Sequence, residues 1–98
     1  MAKAYINDIG TPIQVNTFVD LTAATTKEFK IKKPDGSIET WDADIPDGMA
    51  ASDGYLVHIS EAGDFDQAGK YYLQVHIETA STDHLGDTVT FEVYDAFQ

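Results

Sequence analysis

Cysteine is absent from the 98 residues, and so is arginine. Without cysteine, no disulfide braces the fold and no thiolate serves as nucleophile or metal ligand, which fits synthesis in a reducing cytoplasm. Without arginine, the basic side chains are lysines alone. The six of them stand against 17 aspartates and glutamates, for a formal charge of −11. A surface of that sign repels phosphate and argues against nucleic acid as a partner. It favours solubility and says little about fold. No apolar run is long enough to cross a bilayer, so no membrane partner is expected. The opening MAKAYINDIG has one lysine and no continuous apolar segment, so no secretory leader is expected there. Helical periodicity, internal repeats and low-complexity segments are missing too.

What the chain does have is alternation. Hydrophobic residues make up 43% of the chain, enough for a core in one domain spanning residues 1–98. Turn residues divide it into seven short runs, the pattern of an all-β sandwich. The runs are Lys3–Ile9, Ile13–Leu21, Lys27–Lys33, Ser37–Ile45, Gly54–Ser60, Lys70–Thr79 and Thr88–Tyr94. Ala23–Thr26 reads as a loop or one helical turn, and Ala80–Asp87 as a polar loop. Pro34-Asp35-Gly36 is a strong turn signal, because proline presets φ and glycine accepts a positive one. Residues 27–45 therefore read as a hairpin. The inward set predicted from alternation is Val15, Phe29, Ile31, Trp41, Val57, Ile59, Tyr71, Leu73, Val75, Val89, Phe91 and Val93.

No group of residues spells out a reaction. Asp42, Asp44, Asp47, Gly48 and Asp53 suggest a calcium loop, but Pro46 takes the fifth place, the glycine comes one late and no glutamate closes it. Asp42 and Asp44 lie two apart on a strand, which makes a solvated acidic edge. His58, His76 and His84 lack the paired spacing of a zinc motif. The first two are expected on outward faces and the third in a loop. Ser37, Ser52, Ser60 and Ser81 sit in or beside turns, away from any nucleophile elbow. The glycines form no phosphate-binding loop. The reading is a protein without cofactor, metal or catalytic residues.

The stretch Asp66-Gln67-Ala68-Gly69-Lys70-Tyr71 resembles the tyrosine corner of immunoglobulin-like sandwiches, with one residue more than the compact Asp-x-Gly-x-Tyr form. In that motif the tyrosine hydroxyl bonds back to backbone just upstream. Gly69 would permit the close turn and Asp66 would accept backbone N–H bonds within it. The corner falls on the sixth run, as the motif requires. The antibody cysteine pair is missing, and Trp41 sits on the fourth run instead of the third. The wider resemblance carried by YINDIGTPI, TKEFKIKKPDGSIETW, GDFDQAGKYYLQV and GDTVTFEVYD is to small immunoglobulin-like proteins of tailed bacteriophages. It implies a non-enzymatic structural module of the virion, in capsid decoration or in the tail or baseplate. Its setting would be the virion, after synthesis in the host bacterial cytoplasm. Its partners would be other virion proteins, including copies of itself.

Two features bear on contact surfaces. Lys27, Lys30, Lys32 and Lys33 form a basic patch on an acidic chain. Lysines on an edge strand discourage stray pairing, whereas a basic patch can also dock an acidic neighbour and set its register. Tyr72 and Tyr94 are expected to face outward, where aromatics mark an interface or a sugar-stacking platform. An alternative function is therefore a carbohydrate- or cell-surface-binding immunoglobulin-like module using Tyr72, Tyr94 and His76.

Overall fold

The computed structural model describes residues 4–98, so Lys3, which opens the first predicted run, lies outside them. The chain is all-β and forms a sandwich-like pair of layers. Its strands are Ala4–Tyr5 (β1), Pro12–Asn16 (β2), Thr26–Lys32 (β3), Ile38–Asp42 (β4), Tyr55–Ile59 (β5), Gly69–Glu78 (β6), Asp83–Leu85 (β7) and Val89–Tyr94 (β8). A short 3-10 turn covers Ala51–Asp53. The larger sheet has the order β1-β8-β6-β3-β4, with β7 also on β6, and β2 pairs with β5 in the smaller one. Asp44 bridges to Val57, so the chain leaving β4 crosses to the small sheet and curls the layers together along that side. The pairing is mixed and not wholly antiparallel, because β1 runs parallel to β8.

Among the described residues, eight strands replace the predicted seven because the last return arm is broken. His76 pairs with Leu85, whereas Leu73 pairs with Val89. Between those pairs Gln74 and Val75 face Gly86, Asp87 and Thr88, one residue too many, which makes a β-bulge. The Gly86 N–H donates to Val75 O at 2.8 Å, and Gln74 Nε2 donates to Gly86 O at 3.2 Å. The extra residue reverses parity. Leu85 takes the outward face with His76, and Val89 takes the inward face with Leu73.

The core lies between the layers and is aromatic. Phe29, Phe65, Tyr71, Leu56 and Leu73 have no exposed surface. The Tyr71 and Phe91 rings stack at 5.2 Å, and Phe65 meets Tyr71 edge-on at 6.1 Å. Two members of the predicted inward set face the other way: Val57, which is half-buried, and Ile59, which is 49% exposed, whereas Val89 does turn inward but stays 39% exposed. On β5 the inward residues are Leu56 and His58, because register with β2 sets Leu56 opposite Val15 and His58 opposite Ile13. His58 is thus buried, not outward. Its ring stacks on Trp41 at 4.8 Å, with Nδ1 2.7 Å from Asp42 O and Nε2 2.7 Å from Asp64 Oδ2. Ser60 is buried as well, accepting from Thr11 N and donating to Asp8 O.

The bend before β6 is locked in two ways. The Tyr71 hydroxyl donates to Gln67 O at 2.8 Å and sits 3.3 Å from Gln67 N, while burial holds the phenol above its ordinary pKa. Gly69 has φ of +131°, and a Cβ there would meet Pro34 Cγ at 2.9 Å, so the close approach of the two turns requires glycine. Asp66 does not cap backbone N–H groups as expected. It takes the Lys33 ammonium at 2.7 Å, and Glu39 takes it at 2.9 Å. Gly63 O is the third acceptor, at 3.1 Å.

Candidate interaction face

Strand parity divides the four lysines. Phe29 and Ile31 point into the core, which sends Lys30 and Lys32 outward and leaves Lys27 and Lys33 on the inner side. Lys33 is 2% exposed, so it belongs to no surface patch. Burial alone would lower its pKa, but Asp66 and Glu39 outweigh that and hold it above the ordinary lysine value. Lys27 is half-buried opposite Ile77. Nor is β3 an edge: it lies between β4 and β6. The basic patch therefore reduces to Lys30 and Lys32, with Lys30 3.2 Å from Glu28 and 3.3 Å from the Thr40 hydroxyl.

These two lysines border an apolar strip on the outer face of the large sheet. Lys32 is paired with Ile38 on one side and Tyr72 on the other. The bulge adds Leu85. Ile38 is 66% exposed, Leu85 59% and Tyr72 42%. Together with Gln74 and Thr88 they border a shallow groove of about 530 Å³. Alternation alone could not place Leu85 here, since the bulge that turns it outward has no hydrophobic signature.

Tyr94 is not part of this strip. It packs near Tyr5, with ring centroids 6.2 Å apart. It lies four residues beyond Thr90, the partner of Tyr72, which is about 13 Å along the strand. His76 shares the outward face but is already engaged, Nδ1 with Glu28 and Nε2 with Asp83, each at 2.6 Å. Tyr72, Tyr94 and His76 therefore do not converge on one sugar platform. The Glu28 and Asp83 carboxylates raise the His76 pKa, and the imidazole in turn lowers that of Glu28.

A second groove of about 640 Å³ lies between the end of β2 with the turn after it and the strands β6, β7 and β8. Val75, Ile77 and Val89 form its floor, and the 16–20 turn its rim. On that rim Phe18 is 86% exposed, at a φ of +59°, with its N–H held by Asn16 Oδ1 at 2.9 Å. Among the described residues, the side-chain oxygens of Asp42, Asp44, Asp47 and Asp53 do not gather as a ligand set. Asp53 instead caps the 3-10 turn, accepting from Ala50 N at 3.1 Å. No protein-family model matches the chain. A search of curated proteins likewise finds no match.

Proposed function

We propose that the chain is a non-enzymatic immunoglobulin-like module of a bacteriophage particle that works through protein–protein contacts. Two observations support the immunoglobulin-like reading. The strands β3, β6 and β8 share one sheet and β2 and β5 the other, the division of C, F and G from B and E in that class. The Tyr71 hydroxyl bonds back four residues at the start of β6, the sixth strand-like position. The phage setting rests on the sequence resemblance, and with it the virion location and synthesis in a bacterial cytoplasm.

The observation that carries the contact reading is the outer face of the large sheet. A molecule of charge −11 presents Ile38, Tyr72 and Leu85 to solvent, bordered by Lys30 and Lys32. An apolar strip with a basic margin suits an acidic surface on a neighbouring subunit, with apolar burial supplying affinity and charge setting register. Many copies in one particle allow each contact to be modest.

The test is cosedimentation of tagged protein with particles. A Lys30→Glu, Lys32→Glu double variant and a separate Leu85→Glu variant should both fold and both lose incorporation. Incorporation at the wild-type level in both would refute the proposal. A glycan-array signal abolished by Tyr72→Ala would replace it with the carbohydrate reading.

A further inference from the structure

We propose that the outward cluster spanning β3, β6 and β7 is a divalent-metal site for a borderline ion of the Zn²⁺ type, with His76, Glu78 and Asp83 as ligands and Glu28 as the carboxylate that orients His76. Register builds the cluster. Glu28 stands directly opposite His76, and Glu78 directly opposite Asp83. His76 and Glu78 lie two apart on β6 and so share its outer face. One ligand atom from each of His76, Glu78 and Asp83 lies within 4.8 Å of the others.

The distances suit a small ion. Tetrahedral bonds of about 2.0–2.2 Å set ligand atoms about 3.3–3.6 Å apart. His76 Nε2 and Glu78 Oε1 are already 3.5 Å apart. Asp83 Oδ1, at 2.6 Å from Nε2, must retreat by about 1 Å. Its side chain is 68% exposed, so a rotamer change suffices.

The far side of the ring supplies a second, independent feature. Glu28 Oε1 is 2.6 Å from Nδ1, the nitrogen turned away from the proposed ligands. A carboxylate on Nδ1–H leaves Nε2 as the metal-binding nitrogen and raises its basicity, as in carboxylate–histidine–metal triads. The imidazole favours Zn²⁺ over Ca²⁺ or Mg²⁺, which take oxygen ligands alone. Two carboxylates balance the ion's charge, and the fourth position opens to solvent. The cluster adjoins the contact strip, since Leu85 pairs with His76 and Lys30 lies 3.2 Å from Glu28, but no ligand belongs to the strip and metal binding does not depend on the proposed function.

The test is calorimetric titration of chelator-stripped protein with ZnCl₂, together with the visible absorption of the Co²⁺ form. Saturable binding of one ion per chain is expected, with the intense bands of four-coordinate Co²⁺. His76→Gln should weaken binding at least 100-fold, and Glu28→Gln by about 10–100-fold. His84→Gln, on the opposite face of β7, should leave binding unchanged. Asp83→Asn touches no core residue and decides the matter if His76→Gln fails to fold. Absence of saturable binding would overturn the proposal. So would a wild-type affinity in His76→Gln or, where that variant does not fold, in Asp83→Asn.

Discussion

The Lys33 triad predicts an asymmetry that a stability measurement can expose. The cation is the buried partner: its side chain is 1% exposed, against 41% for Glu39 and 51% for Asp66. Removing the anions and removing the cation should therefore have very different costs. In an Asp66→Asn, Glu39→Gln double variant the ammonium keeps neutral acceptors but no counter-charge. Stranding a buried charge in this way costs about 3–5 kcal/mol. There is a ceiling, because Lys33 can shed its proton instead. From an ordinary value of about 10.4, that costs about 4.6 kcal/mol at pH 7 and about 1.9 kcal/mol at pH 9. The double variant should thus lose about 3–4 kcal/mol at pH 7 and visibly less at pH 9. Lys33→Met leaves two half-exposed carboxylates that water can solvate, and it should change stability by no more than about 1 kcal/mol. Urea unfolding at both pH values measures all of this. A Lys33→Met loss larger than that of the double variant would refute the reasoning, as would a double-variant loss that grows from pH 7 to pH 9.

Three further outcomes are expected. Tyr71→Phe keeps the ring in the core but leaves Gln67 O and N–H without the hydroxyl, and urea unfolding should show a loss of about 1–3 kcal/mol. Gly69→Ala forces a Cβ against Pro34 at a positive φ and should cost about 2 kcal/mol, seen as a lower melting temperature; an unchanged melting temperature would mean the two turns are not in contact. In chelator-treated protein the His76 contribution follows from its raised pKa: it is full below the ordinary histidine value and is lost as pH rises through the folded value. Glu28, with a lowered pKa, contributes above the ordinary glutamate value and loses that contribution as pH falls through the folded one. The stability difference between wild type and His76→Gln should therefore peak in mildly acidic solution and fade at alkaline pH, and a flat difference would contradict it.

Much of the scaffold was legible because β-strands carry a period of two that turn residues interrupt. The Pro34-Asp35-Gly36 hairpin and the bend leading to Tyr71 follow from local chemistry, since proline, glycine and aspartate act on their own backbone. Strand β5 was misread for a physical reason. Both of its faces carry apolar residues, Leu56 on one and Val57 and Ile59 on the other, so alternation has no preferred sign. Pairing with β2 chose the face, and Trp41, Asp42 O and Asp64 made a buried His58 acceptable there. Lys33 was misplaced because its charge suggested solvent, although its spacing from Phe29 and Ile31 already set it on their face.

By itself, the sequence determined an all-β chain, its main turns, most of its core and its acidic character, because each depends on neighbours a few residues away. Only the tertiary structure decided that Lys33 is buried against Asp66 and Glu39, which face of β5 turns inward, and that Leu85 joins Ile38 and Tyr72 on one outer strip. It alone brought Glu28, His76, Glu78 and Asp83 together. Those outcomes depend on register between distant strands and on one extra residue in a return arm, and neither leaves a mark on the local pattern of apolar and polar side chains.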